Sequence, residues 1–179
     1  MRKPTNWRIG IVAAALALAT LGMSAQAATL ADRVGHELNM LPYYGVFDAI
    51  NYQVDGDTVT LTGAVHYPVI AEDAVQAVKG IEGVSQVKNS IEVLPLSMFD
   101  DQIRLAAWRQ VISWPSLSYL AAEPHPSVRI LVKNGHITLE GAVLRQADKD
   151  ALTIRLNSLP NVFSVVNDLV VENPQPRKG

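Results

Sequence analysis

Two stretches of the chain, VDGDTVTLTGAV at Val54–Val65 and VKNGHITLEGAV at Val132–Val143, match each other at an offset of 78 residues. The same offset continues without a gap to Val93 and Val171, and ten of those 40 residue pairs are identical. Further pairs keep an apolar residue in both stretches, at the spacing of strands and helices. The sequence therefore predicts an internal duplication, so that one fold should serve both repeats.

Each repeat begins with the pattern of a β-hairpin. Ile50, Tyr52 and Val54 alternate with polar residues, and a second alternation follows after the residues DGD. The second repeat has KNG at the same place, and Asn134-Gly135 suits a tight two-residue turn. We expect an antiparallel pair of strands at this point in both repeats.

A helix and a third strand follow each hairpin. Apolar residues recur at helical spacing, and a third alternation then runs to Val93 or Val171. A strand–helix–strand crossover makes the second and third strands parallel. The helical residues are Ala74, Val78 and Ile81 in the first repeat and Leu152, Leu156 and Leu159 in the second.

One more helix precedes each hairpin, and its apolar stripe is followed by Pro42 or Pro115, which a helix interior does not accept. The fold class is therefore α+β, with two tandem α-β-β-α-β modules over residues 28–96 and 97–172. Each module should hold a small mixed three-stranded sheet covered by two helices. LPLS at Leu94–Ser97 is too short for a free tether, so we expect the modules to pack on each other. The two stripes are Leu30, Val34, Leu38 and Leu41, and Ile103, Ala107, Val111 and Trp114.

The doubled pattern resembles tandem BON (bacterial OsmY and nodulation) domains. The residues that carry the resemblance are Val59–Gly63, Gly83, Val84, Val87 and Asn89, then Ile137–Gly141, Val162, Val165 and Asn167. Asn161 stands where the family usually has the glycine seen at Gly83, and asparagine tolerates the same left-handed geometry. The resemblance implies a non-enzymatic periplasmic module that binds phospholipid, supports the envelope under osmotic stress or acts like a chaperone.

The two ends of the chain predict export and a free tail. A basic start, an apolar run over Ile9–Met23 and the residues AQA at 25–27 are typical of a cleaved signal peptide over residues 1–27, which gives a periplasmic protein. An uncleaved membrane anchor is the alternative. The chain has no cysteine, which excludes a lipoprotein anchor, a disulfide and a thiolate metal site. Residues 173–179 (NPQPRKG) are predicted to be a disordered tail.

Charge and motifs argue against nucleic acid binding and catalysis. Residues 28–96 hold nine acidic and three basic residues, whereas residues 97–179 hold eight acidic and nine basic ones. No run of like charge stands out, so nucleic acid is not an expected partner, and the second module is the part that can approach an anionic surface. His36, His66, His125 and His136 lack ligand spacing. We therefore expect no metal, no cofactor and no catalytic residue.

The first helix of the second module offers a candidate binding surface. Beside its core stripe it carries a second apolar strip of Leu105, Trp108 and Ile112, where the first module has Asp32, Gly35 and Asn39. The strip either packs on the first module or meets anionic phospholipid or an envelope protein. A lipid-facing module and a protein-interaction or chaperone-like adaptor are thus both open. Arg104, Arg109 and Tyr119 complete the candidate surface.

Other repeated residues have structural explanations. Gly63 and Gly141 lie in strands, where glycine lets another backbone or a helix come close. Asn89 and Asn167 fall in the apolar register of the third strand, and their amides are expected to tie it to the adjoining turn. Replacing Asn89 by alanine should then lower the melting temperature.

The segment MLPYYGVFD at Met40–Asp48 concentrates Tyr43, Tyr44 and Phe47 around a glycine. These aromatic residues either close the core of the module or form an exposed binding surface. Aromatic residues recur in the corresponding connection of the second module, at Trp114 and Tyr119, which favours the lid.

Overall fold

The computed structural model describes residues 28–123 and 125–172; the predicted signal peptide and the predicted tail lie outside the described residues. The first repeat runs through α1 (Leu30–Asn39), β1 (Ala49–Asp55), β2 (Thr58–Val65), α2 (Pro68–Lys79) and β3 (Gln86–Val93). The second repeat runs through α3 (Met98–Ile112), a short 3-10 helix (Ser118–Ala122), β4 (Val128–Lys133), β5 (His136–Val143), α4 (Gln146–Asn157), β6 (Ser164–Asn167) and β7 (Val170–Val171).

The sheet topology confirms the predicted α+β fold of two like repeats. In the first repeat β1 and β2 are antiparallel and β2 and β3 are parallel. In the second repeat β4 and β5 are antiparallel, and β5 pairs in parallel with β6 and then with β7. Both hairpins close through two residues, and Asn134 and Gly135 have φ angles of 51° and 79°, which a turn of this kind requires.

Each repeat has its own hydrophobic core between its sheet and its two helices. Val34 and Leu38 of α1 and Ala74 and Val78 of α2 are buried against β2 in the first repeat. The second core is built in the same way, from Ile103, Ala107 and Val111 of α3, Leu152 and Leu156 of α4, and the facing residues of β4 and β5. Within residues 28–123 and 125–172, no helix is long and apolar enough to cross a membrane.

The first helix of each repeat ends three residues before its proline, at Asn39 and at Ile112. Leu41 and Trp114 were expected to end the helical stripes, and that expectation is wrong. Each of them directly precedes a proline, whose ring forces the preceding residue out of the helical conformation. Leu41 is nevertheless buried in the first core.

Gly63 and Gly141 share one backbone geometry, with φ at 104° in both. A side chain at Gly63 would overlap the carbonyl oxygen of Ala49, and one at Gly141 would overlap that of Ser127. Because the obstacle is backbone, no side-chain movement could relieve it. The fold therefore requires glycine where the second strand passes the start of the first.

The third strand is continuous in the first repeat and broken in the second, between β6 and β7. Asn167 lies at the break: its Nδ2 donates to Lys149 O and to Thr153 Oγ1, both at 2.8 Å, and its Oδ1 accepts from Leu169 N at 3.2 Å. Lys149 Nζ in turn donates to Leu169 O at 2.6 Å. The prediction of one strand through to Val171 was therefore wrong for the second repeat.

Asn89 does not sit in a buried register as the sequence had indicated. Its side chain is exposed, and its Oδ1 accepts a hydrogen bond from Ile91 N at 3.0 Å. The positions of Lys149 and Thr153 are held by Ala71 and Val75 in the first repeat, so α2 offers Asn89 no matching polar side chain. Asn167 therefore makes three side-chain hydrogen bonds, whereas the equivalent Asn89 makes one.

We expect Asn167→Ala to lower the free energy of unfolding by about 1–3 kcal/mol, because it removes three hydrogen bonds from a partly buried group. Asn89→Ala should cost less than about 1 kcal/mol, since it removes one exposed local bond. Urea unfolding of the two variants beside the parent measures both values. Equal losses at the two positions would contradict the unequal roles.

Candidate functional site

The predicted strip of α3 is only partly accessible. Leu105 and Arg109 are exposed, whereas Trp108 and Ile112 are half-buried and Trp108 packs against the second core. Leu105, Arg109 and Ile112 follow at intervals of four and three residues, so they share one face of the helix. Tyr119 is exposed on the short 3-10 helix.

Arg104 does not belong to a binding surface, and its assignment to one was wrong. Its side chain is fully enclosed, with 1% of the residue exposed. Nη1 donates to Asp101 Oδ1 at 2.6 Å and Nη2 donates to Val132 O at 2.7 Å. The guanidinium is held inside because it supplies donors to a carbonyl of β4 and to a carboxylate, so it is not free to meet a phosphate.

An exposed apolar surface that the sequence did not reveal lies at the start of α3. We call it the phenylalanine patch; it consists of Leu96, Met98, Phe99 and Phe163, which are 78%, 77%, 71% and 76% exposed. Phe99 and Phe163 both line one cavity of about 330 Å³, with Ile103 among its other walls. Large apolar side chains grouped at the surface in this way mark interaction sites.

Asp100 holds this part of the surface together. Its carboxylate accepts hydrogen bonds from Asn134 N at 2.9 Å and Gly135 N at 2.8 Å, which ties the β4–β5 turn to the first turn of α3. The ring of Phe163 lies directly over Gly135, where any side chain would collide with it. The sequence holds one signal for this surface: the second repeat has Phe163 at the position where the first repeat has Ser85.

The border of the phenylalanine patch is polar. The ring of His136 lies 5.8 Å from that of Phe163, and its Nδ1 is hydrogen-bonded to Ser164 Oγ at 2.7 Å. Lys133 is exposed on the neighbouring strand and forms an ion pair with Glu92 of the first repeat. The surface therefore combines an apolar centre with hydrogen-bonding groups at its edge.

The segment MLPYYGVFD closes both cores. Tyr44 is buried in the first core, and its hydroxyl accepts from Ile50 N at 3.1 Å. Val46 and Phe47 pack against the core of the second repeat. Of the three aromatic residues in the segment, Tyr43 alone is exposed, with 83% of the residue accessible.

Residues 45–48, which we call the strap, make several of the contacts between the repeats. Val46 O accepts from Ile130 N of β4 at 2.8 Å, and Gly45 O accepts from Arg129 Nη1 at 2.9 Å. Asp48 is buried and fixes the strap from within, because its carboxylate accepts from His66 N at 2.7 Å and Gly45 N at 2.9 Å. Ala49, Ala64, Leu94 and Leu131 form a small apolar cluster beside it.

His66 lies buried in a polar cluster where the repeats meet. Its Nε2 is 3.6 Å from Asp101 Oδ1, and the ring of Tyr67 lies 4.2 Å away. Burial lowers the pKa of His66, and the nearby charge of Arg104 lowers it further, against the opposing effects of Asp101 and Asp48. Burial raises the pKa of Asp48, although its two backbone hydrogen bonds act in the other direction.

The sequence profile of the BON domain matches this chain twice, over residues 26–95 and 116–173. Together the two matches cover well over half of the chain. The chain belongs to the BON domain family. The second match begins beyond α3, so the helix beside the phenylalanine patch lies outside it.

Two known proteins give the comparison further detail. Osmotically-inducible protein Y of Escherichia coli (strain K12) is 29% identical over 123 residues, which is 67% of this chain and 60% of that protein, so the match spans less than two thirds of the relative. CdsD, a structural protein of the Type III secretion system of Chlamydia trachomatis, is 14% identical over 80% of this chain and 92% of that structure, at a TM-score of 0.31. A TM-score this low supports no conclusion about this BON domain protein.

We expect this BON domain protein to lose stability as the pH falls below about 6.5, the ordinary pKa of histidine. Because the pKa of His66 is lowered in the folded state, the unfolded chain binds the proton more readily, and acid favours unfolding until the folded-state pKa is passed. Urea unfolding at about pH 7.5 and about pH 5.5 measures the loss.

His66→Gln is the matched control, since both proteins share the other three histidines. The fall in unfolding free energy between the two pH values should be smaller in the variant than in the parent. An identical pH dependence in both proteins would refute this role for His66.

Proposed function

We propose that this chain is a non-enzymatic binding protein of the bacterial periplasm that contacts phospholipid through its second repeat. The observation that carries the proposal is the phenylalanine patch, a group of four large apolar side chains that are mostly exposed at the start of α3. Side chains of this kind gain free energy when they leave water for an acyl-chain environment.

The position of the patch suits the surface of a bilayer. Aromatic side chains favour an interface with one apolar and one wet side, and His136, Lys133 and the turn at Asn134 lie where headgroups would be. The outward face of α3 continues from Met98 through Leu105 to Arg109 at helical spacing. An exposed guanidinium on that face is placed to bind a lipid phosphate.

The difference between the repeats supports the choice of the second one. At the position of Phe163 the first repeat has Ser85, and residues 28–96 carry a marked excess of acidic groups. Anionic headgroups repel such a surface, whereas residues 97–179 are almost balanced in charge. The first repeat would therefore face away from the membrane.

A role in envelope stress is part of the same proposal. It is supported by the similarity to a protein named as osmotically inducible and by the export signal predicted over residues 1–27. The named relative supports a response to osmotic conditions, and the predicted signal supports the periplasm. The residues that line the phenylalanine patch provide binding surface rather than a catalytic group.

Vesicle flotation tests lipid binding directly. The protein should float with vesicles that contain an anionic phospholipid, and less with neutral ones. Phe99→Ser combined with Phe163→Ser should weaken binding about tenfold or more, because two rings no longer enter the bilayer.

Ile154→Ser is the matched control, since Ile154 is an equally apolar residue on α4 that is 73% exposed and lies outside the phenylalanine patch. It should bind vesicles as the parent does. Loss of binding in the control, or full binding by the double variant, would contradict the assignment of the surface. Capture of unfolded protein clients without any vesicle binding would instead support the chaperone-like adaptor.

A further inference from the structure

Within residues 28–123 and 125–172, strand β3 is an open edge of the first sheet. It pairs with β2 on one side, and its residues are largely exposed. Leu94 N donates to Val65 O, and Gln86 N donates to Asp57 O. The N–H and carbonyl groups of the even-numbered residues of β3 therefore point toward β2. Odd-numbered positions direct theirs outward, since the direction alternates along a strand. Val87, Asn89, Ile91 and Val93 thus line a row of outward backbone groups.

The second repeat interrupts the corresponding edge, whereas in the first repeat the strand runs on unbroken. At the interruption, Asn167 takes the outward N–H of Leu169 and Lys149 takes the outward carbonyl of the same residue. Along β3, the one outward N–H that a side chain of the described residues covers is that of Ile91, which donates to Asn89 Oδ1. An unbroken edge of eight residues is a ready template for pairing with another strand.

The sequence of β3, QVKNSIEV, is complementary to itself when read in the opposite direction. If two strands run antiparallel with Ser90 facing Ser90, Lys88 of each molecule lies opposite Glu92 of the other. In the same register Val87 lies opposite Val93, and Asn89 lies opposite Ile91. Opposite charges face each other twice, and the smallest polar side chain lies at the centre.

The backbone directions fit the same register. Odd-numbered residues face each other as 87 with 93 and as 89 with 91, so the outward N–H and carbonyl groups meet in hydrogen-bonded pairs. Even-numbered residues then form the pairs without backbone bonds, in which side chains lie closest. Lys88 and Glu92 therefore occupy the positions where a cross-strand ion pair is strongest.

We propose that β3 is a dimerisation edge, and that its occupant is β3 of a second molecule of this chain. The pairing is a two-fold symmetric contact, in which each molecule uses the same residues. It joins the two first-repeat sheets into one sheet of six strands. The strand pairing itself uses residues of β3 and none of the phenylalanine patch, so this proposal does not depend on lipid binding.

Two groups restrain the pairing in the single molecule. Asn89 Oδ1 holds the N–H of Ile91, which in the dimer is donated to the carbonyl of Asn89 in the second molecule. Glu92 forms an ion pair with Lys133 of its own molecule. In the dimer it would also face Lys88 of the second molecule. Because these contacts must rearrange, the dimer should be reversible and dependent on concentration.

Sedimentation velocity of the purified protein over a wide range of concentrations tests the proposal. The parent should pass from monomer to dimer as the concentration rises. Lys88→Glu should weaken the dimer roughly tenfold, because two attractive pairs become repulsive, and Glu92→Lys should act in the same way. Lys79→Glu, an exposed change of the same charge on α2, should leave the dimer unchanged.

A mixture of the two weakened variants gives the sharper test. In a mixed dimer, Glu at position 88 faces Lys at position 92, and Lys88 faces Glu92, so both ion pairs are restored. The mixture should therefore form dimers at concentrations where neither variant does alone. A parent that stays monomeric, a dimer that survives Lys88→Glu, or a mixture without recovery would each overturn the proposal, as would binding of foreign extended peptides by a monomer.

Discussion

The structure depends on one contact: Val46 and Phe47 of the first repeat pack against the core of the second. A unit of this size buries only about 60% of the surface that its unfolded chain exposes, so the apolar core of each repeat is small and gives limited stability by itself. The strap supplies apolar side chains and also a carbonyl for the edge of β4. Asp48 sets its shape through two backbone hydrogen bonds. The second repeat is thus completed by its neighbour, and Arg129, stacked 4.7 Å from the centre of the Tyr44 ring, reinforces the contact from the other side.

The repeats keep one interior and differ in what they place around it. At equivalent positions, Ser85 and Phe163 differ in the apolar surface they offer, and Ala71 and Lys149 differ in whether the edge of the sheet is covered. Neither change touches the strands that carry the core. The two repeats can therefore serve different contacts: the second repeat offers an apolar surface, and the first repeat offers an open strand edge. The function proposed for this BON domain protein rests on the first of these differences.

Most of the fold could be predicted from the sequence, because an ungapped offset of 78 residues fixes the order of strands and helices twice over. The strand directions and the left-handed turn at Asn134-Gly135 followed from local rules. The site was harder to predict. Arg104 is buried because a carbonyl of β4 and the carboxylate of Asp101 receive its donors, and only the packed structure reveals that need. Phe99 and Phe163 lie 64 positions apart, and periodicity gives no sign that they share a cavity.

Hydrogen exchange of a Phe47→Ala variant tests most directly whether the strap completes the second core. The residue belongs to the first repeat in sequence but packs on the second core, so its loss should act across the boundary. Amides of β4 and β5 should exchange markedly faster than in the parent, while amides of β2 and β3 should change little. If the first repeat were destabilised and the second kept its protection, the second core would be complete without the strap, and the dependence of one repeat on the other would be contradicted.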